Sequence, residues 1–194
     1  HKSVAFNADE TQRKNIKRLA KKYNGLLGGS KEGKVGYNIT MVIAYIREFF
    51  VPQGILGETL ETAVPWSKIN QVKDEANKLL TELHKKYDLP GKPFFCSRIS
   101  KVYHTGICMY NTMGINVRGI KNPEKVFSDI EHKIRDCFIK NGGSISHHHG
   151  VGKLRKDFMP ETISSGSIDV IQGIKKSQDP DNIFGISNNI VNKK

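Results

Sequence analysis

Apolar residues at Ile69, Val72, Ala76, Leu79, Leu80 and Leu83 recur at the spacing of one helical face, which predicts an amphipathic helix running to about Lys86. Pro65 and Trp66 precede it, and Ser67 is the expected cap. The same period over Phe127, Ile130, Ile134, Cys137 and Phe138 predicts a second helix, opened by Asn122-Pro123 and stopped by Asn141-Gly142. Between these helices, residues 94–102 and 106–116 read as two strands joined by Tyr103-His104-Thr105, a hairpin. Residues 55–63 read as a further strand after the break at Pro52 and Gly54.

Towards the start, residues 2–7 alternate like a short strand. Asp9 then caps a helix to about Tyr23, striped by Ile16, Leu19 and Ala20 and ended by Gly25. Residues 26–36 are rich in glycine and lysine and are expected to form a loop. Residues 37–50 read as a helix with a broad apolar face of Ile39, Val42, Ile43, Ile46, Phe49 and Phe50. Towards the end, residues 144–146 suggest a short strand, and two helical segments, 153–158 and 165–177, are separated by Pro160 and Ser164-Ser165-Gly166. Asp179 to Phe184 is expected to close the chain as a capped turn with an apolar anchor. This irregular alternation with a clear hairpin predicts an α+β fold, an antiparallel sheet with helices on one face plus a helical C-terminal tail.

The length of 194 residues fits one domain, or one with an appendage. No apolar run approaches the roughly 20 residues of a membrane span. The net charge of +12 would attract phosphates, nucleic acid or an anionic membrane surface. Much of that excess falls on helix faces such as Arg13, Lys14, Lys17 and Arg18, where solvation accounts for it, and no zinc-finger spacing or RNA-binding signature is present. Cys96, Cys108 and Cys137 are widely spaced and odd in number, so we expect free thiols in a reducing compartment. No secretory or transit segment opens the chain, and Asn192-Lys193-Lys194 is not a peroxisomal address. Because the chain starts without Met, on an apparent strand, we expect an upstream part to be missing.

The densest chemistry lies at residues 142–155, where glycines flank His147, His148 and His149. Glycine permits unusual backbone and close approach, and each imidazole can carry a proton or bind a metal near neutral pH. Solvated loop histidines without a role are the plainer explanation of the same residues. Arg47, beside an apolar face, either snorkels to water or offers its fork to a carboxylate or phosphate. Tyr110, mid-strand, reads as an aromatic packed on a sheet face.

Gly142 to Arg155, with Tyr45-Ile46-Arg47-Glu48, Gly57 to Trp66 and Asp179-Pro180-Asp181-Asn182-Ile183-Phe184-Gly185, resembles the alkyldihydroxyacetonephosphate synthase family, in register over nearly the whole chain. This is the ether-lipid branch of the FAD-linked oxidase superfamily, of vanillyl-alcohol oxidase type. The resemblance implies that residues 1–141 are the substrate-binding cap domain and residues 142–194 a His-rich active-site segment with a helical tail, the FAD-binding domain lying upstream. It implies exchange of the acyl chain of acyl-dihydroxyacetone phosphate for a fatty alcohol through a flavin–substrate adduct, with FAD as cofactor and no metal. Tyr110 matches the catalytic acid/base tyrosine, Arg47 the arginine suited to the substrate phosphate, and His147, His148 and His149 the catalytic triplet. Neighbours on an extended strand face opposite ways, so not all three are expected to reach the flavin, and His148 and His149 are chosen as its contacts. Family members carry further aromatics around the tyrosine, where Asn111, Thr112 and Met113 stand here. A peroxisomal location, peripheral membrane association and a homodimer follow by resemblance, and nucleic acid is not an expected partner. The alternatives are an FAD-dependent 2-hydroxyacid dehydrogenase, whose histidines hold a metal, and a basic membrane- or nucleic-acid-binding module without catalysis.

Overall fold

The computed structural model describes residues 2–185 and Asn188. Asn192, Lys193 and Lys194 lie outside the described residues. The chain divides into two compact units, His1–Glu48 and Phe49–Lys194.

In the first unit, α1 spans Lys2–Lys22 and α2 begins at Ser30 and runs to Phe50. The expected strand at residues 2–7 is therefore helical. A strand is stable only against a partner, and the described residues of this unit supply none, whereas a helix satisfies its own backbone. The expected loop at residues 26–36 is helical from Ser30. There the Glu32 carboxylate accepts the Gly29 N–H at 2.7 Å, half of a capping box, and this start outweighs the low helix propensity of Gly33 and Gly36.

In the second unit, a single turn of tighter helix at Val51–Gln53 ends at Gly54, whose φ of 75° turns the chain into β1, Ile55–Pro65. A similar turn at Trp66–Lys68 leads to α3, Ile69–Lys86. Ser67 falls inside that turn, and no side chain caps the start of α3. The hairpin forms with the expected bounds, β2 at Phe94–Val102 and β3 at Gly106–Asn116. Helix α4 runs from Pro123 to Lys140, and Asn122 takes the left-handed conformation just before it. Lys156–Glu161 is a 3-10 segment rather than the helical turn expected at 153–158, because Pro160 has no N–H with which to extend it. Helix α5, Ser165–Gln178, is capped by Ser164, whose hydroxyl accepts the Ser167 N–H. The closing turn is capped as expected, Asp179 accepting from the N–H groups of Ile183 and Phe184, but both apolar side chains stay exposed rather than anchoring it.

The sheet is antiparallel in the order β1-β3-β2, which leaves one edge of β1 unpaired by any strand. Its inner face carries Leu60, Val64, Ile107, Met109, Met113 and Ile115 against Val72, Ala76, Leu80 and Leu83 of α3 and Ile130, Ile134 and Phe138 of α4. This is the predicted arrangement of helices on one face. Asn111 lies on the same side, fully buried, and is satisfied there: it donates to the Leu60 carbonyl at 3.1 Å and accepts from the Ser97 hydroxyl at 2.6 Å. Since residues alternate along a strand, Tyr110, Cys108 and Thr112 point to the opposite face. A smaller apolar cluster of Ile145, Phe158 and Met159 joins the chain after α4 to the C-terminal segment. The three cysteines are free, and no described helix is long and apolar enough to cross a membrane.

Leu80 is fully buried between sheet and helices. Leu80→Ala should lower the unfolding free energy by about 2–5 kcal/mol, read as a lower denaturant midpoint with an unchanged slope.

Candidate active site

Strand register builds the site. Glu61 of β1 pairs with Tyr110 of β3, and Tyr110 pairs with Arg98 of β2, so these three residues form one row across the sheet on the face turned away from α3 and α4. The Arg98 guanidinium lies over the Tyr110 ring with Cζ 4.5 Å from the centroid, a cation–π contact.

The histidines reach this row through the loop after α4. Gly142 has a φ of 82°, which ends the helix at no steric penalty. Gly143 has no substitute, because a Cβ there would stand 2.4 Å from Oγ1 of Thr62 and 2.8 Å from the Phe138 carbonyl oxygen. The close approach lets Ser144 fasten the loop to β1. Its N–H donates to the Ala63 carbonyl (3.0 Å), its hydroxyl accepts the Ala63 N–H (2.8 Å), and its carbonyl accepts the Thr62 hydroxyl (2.8 Å). The strand expected at 144–146 is thus an edge attachment without a regular ladder.

Beyond Ser146 the loop coils around one carboxylate. Oε1 of Glu61 accepts the N–H groups of His147 (2.6 Å), His148 and His149 (2.5 Å) and the Ser146 hydroxyl (2.9 Å). Three consecutive amides converging on one oxygen exclude an extended chain, so the imidazoles do not alternate between two faces. They cluster, with ring centroids 5.4 Å apart for His147 and His148 and 4.6 Å for His148 and His149. The Tyr110 ring lies 6.0 Å from His148, nearly parallel, and 5.5 Å from His149, edge-on. The Tyr103 hydroxyl meets Nε2 of His147 from the hairpin turn. Further along, Arg155 donates to the Gly150 carbonyl at 3.1 Å and is buried. Burial, followed by the charge of Arg135, pushes its pKa down.

Glu61 is 1% exposed. Burial opposes its ionisation, yet the N–H groups of His149, His147 and His148 and the Ser146 hydroxyl outweigh that and hold its pKa at about 2, below the ordinary 4.5. Burial lowers the pKa of His149, against an opposing pull from Glu61. Oε2 of Glu61 accepts no regular hydrogen bond among the described residues, and Nδ1 of His148 closes on it. Two sets of three donor atoms lie within 4.8 Å of one another, Glu61 with His148 and His149, and Glu61 with Cys108 and His147.

Tyr110, His147, His148 and His149 are therefore brought together. Arg47 stands exposed in the last turn of α2, in the first unit. Glu61, Arg98 and Tyr103 belong to the site and were not singled out from sequence. Glu61 is one of two acids in β1, with Glu58, and lies within the Gly57–Trp66 stretch of the resemblance, where no local pattern separates it from Glu58. Of the positions that depart from the family's aromatics, Asn111 and Met113 face the helices, and Thr112 alone shares the Tyr110 face.

The profile of the domain family described as FAD linked oxidases, C-terminal domain, matches residues 4–185. The chain is similar to the alkyldihydroxyacetonephosphate synthase of Caenorhabditis elegans, 39% identical over 173 residues, which cover 89% of this chain and 29% of that protein. It is 27% identical over 155 residues to the Dictyostelium discoideum protein of the same name, covering 80% of this chain and 25% of the relative. A solved structure of alkyldihydroxyacetonephosphate synthase superposes with a TM-score of 0.61 at 20% identity, over 90% of this chain and 28% of that one, a likeness of fold. The chain spans less than a third of the length of these relatives.

The lowered pKa of Glu61 makes stability depend on pH. Its folded value of about 2 lies below the ordinary 4.5, so the contribution is fully present above pH 4.5 and is lost as pH falls towards 2. Glu61→Gln should flatten the decline in melting temperature between pH 5 and pH 2, as followed by circular dichroism.

Proposed function

Since the chain belongs to the C-terminal domain family of the FAD-linked oxidases, we propose that it is part of an ether-lipid synthase that exchanges the acyl chain of acyl-dihydroxyacetone phosphate for a fatty alcohol. The observation that carries this reading is the convergence of Tyr110 with His148 and His149 on the sheet face turned from the helices, in a chain 39% identical to a synthase over 89% of its length.

The donor set fits FAD. The imidazoles of His148 and His149 stand exposed beside a half-buried phenol, offering hydrogen-bonding groups and flat rings to a planar cofactor. Bound FAD supplies the nucleophile that keeps the substrate carbon between departure of one chain and arrival of the next. The rest is proton and charge handling by this chain. A carbon–hydrogen bond beside the substrate ketone is broken by a base, and Tyr110, with the Arg98 cation stacked over its ring, is the group assigned to it. The leaving fatty acid departs as a carboxylate, which imidazole N–H groups stabilise. The entering alcohol must give up its hydroxyl proton, for which His148 and His149 are the acceptors. Arg47 is assigned the substrate phosphate by its match to the family arginine and the bidentate chemistry of guanidinium.

In this reading residues 1–141 form the substrate-binding cap and 142–194 the active-site segment and tail, with the FAD-binding domain contributed from upstream. A peroxisomal location, a homodimer and peripheral attachment to the membrane that holds the fatty substrates accompany the proposal. Tyr110→Phe in the full-length holoenzyme should lower the rate of ether formation by about 10²-fold or more while the flavin absorbance stays stoichiometric; near-normal turnover would remove Tyr110 from the acid/base role.

The donor sets at Glu61 favour a second reading, an FAD-dependent 2-hydroxyacid dehydrogenase with a divalent metal beside His148 and His149. It predicts one zinc or iron per purified holoenzyme, lost in His149→Ala, where the synthase reading predicts substoichiometric metal by elemental mass spectrometry.

A further inference from the structure

The geometry points to Glu61 as a positioning residue that fixes the tautomer of His148, with the proton on Nδ1 and the lone pair on Nε2. This rests on the synthase reading only for what His148 then does.

The carboxylate beside His148 selects between two placements of hydrogens. Nδ1 of His147 and Nδ1 of His148 stand 3.1 Å apart, close enough to share a single hydrogen and too close for each to carry one pointed at the other. Oε2 of Glu61 decides which ring carries it. That oxygen belongs to a buried carboxylate, accepts no regular hydrogen bond, and lies against Nδ1 of His148 but 3.8 Å from Nδ1 of His147. A carboxylate oxygen set against a bare ring nitrogen is repelled by its lone pair, so the hydrogen resides on Nδ1 of His148, shared with Nδ1 of His147 and with the charge of Glu61 beside it. His147 then accepts at Nδ1 and carries its own hydrogen on Nε2, which donates to the Tyr103 hydroxyl. Both nitrogens of His147 are engaged within the protein.

His148 differs. Its side chain is 53% exposed, and no described residue bonds to Nε2, the nitrogen across the ring from Glu61. A lone pair fixed at that atom accepts a proton from a hydroxyl group. For the entering alcohol the O–H bond breaks as the N–H bond forms at Nε2, and Glu61 stabilises the resulting imidazolium across the ring. The proton then leaves Nε2 to solvent, which restores the neutral ring. His148 touches substrate in this scheme, and Glu61 acts only through it.

The other oxygen makes the assignment separable from simple loop support. Oε1 holds the three amides and Ser146, while Oε2 lies against Nδ1 of His148. In Glu61→Gln the amide oxygen can keep the loop, while the NH₂ group turned to His148 forces its Nδ1 to become an acceptor and moves the hydrogen to Nε2.

The test is the ¹⁵N spectrum of full-length FAD-loaded enzyme labelled at histidine, at a pH where the ring is neutral, with His148 assigned by the signal missing in His148→Asn. The wild type should show a protonated Nδ1 and a bare Nε2. Glu61→Gln should exchange them and lower kcat about 10²-fold with KM within about twofold, and Glu61→Asp, which restores the charge, should return the tautomer and part of kcat. A protonated Nε2 in the wild type would overturn the assignment without needing any variant to fold. So would an unchanged tautomer in Glu61→Gln, or a stoichiometric divalent metal, which would claim the Nδ1 lone pair. A wild-type holoenzyme that exchanges no acyl chain would sink the synthase reading and leave the tautomer standing.

Discussion

A carboxylate withdrawn from water needs donors in proportion to its charge, and Glu61 obtains them from consecutive amides of one loop and a serine hydroxyl. That need shapes the molecule around it. To bring three N–H groups to one oxygen the loop must coil tightly, the coil gathers the imidazoles, and the sheet row that carries Glu61 places Tyr110 beneath them. Loop conformation and side-chain clustering are two outcomes of a single electrostatic requirement.

The scaffold is arranged so that this requirement is met on a rigid surface. Core packing of α3 and α4 occupies one sheet face, which frees the other for polar groups, and antiparallel pairing fixes Glu61, Tyr110 and Arg98 side by side with little freedom to shift. On the helical side the sheet buries Asn111 with its amide nitrogen and its oxygen each bonded, so a polar residue in the core specifies register rather than weakening it. Flexible elements of the site are thus tied to inflexible ones at short range.

Much of this was legible in the sequence, and unevenly so. Helices α3 and α4 and the hairpin carried period and punctuation that agreed, Pro123 and Gly142 marking the ends of one helix and Tyr103 to Thr105 the turn between strands. Residues 2–7 alternated like a strand but have none to pair with among the described residues of their unit, information that is not local. Within the site, the histidines and Tyr110 were found through a motif and a family match, whereas Glu61 and Arg98 were not. Their roles depend on which residue of one strand sits opposite which residue of another, and register between β1 and β3 spans a separation of 49 residues that no local pattern encodes. The alternation assumed for adjacent histidines failed for a related reason, since the acceptor that coils the loop comes from a distant strand.

Ser144 and its neighbours also occupy the one margin of the sheet where β1 has no companion strand. An uncovered margin of this kind is a template onto which another chain can add. The loop that carries the histidines therefore also covers this margin at Thr62 and Ala63. A lesion that loosens it, at Gly143 above all, would expose backbone at the same moment that it scatters the imidazoles. Loss of solubility and loss of chemistry are tied together by a single piece of chain, which gives selection for a folded, monodisperse protein a hold on the geometry of the site.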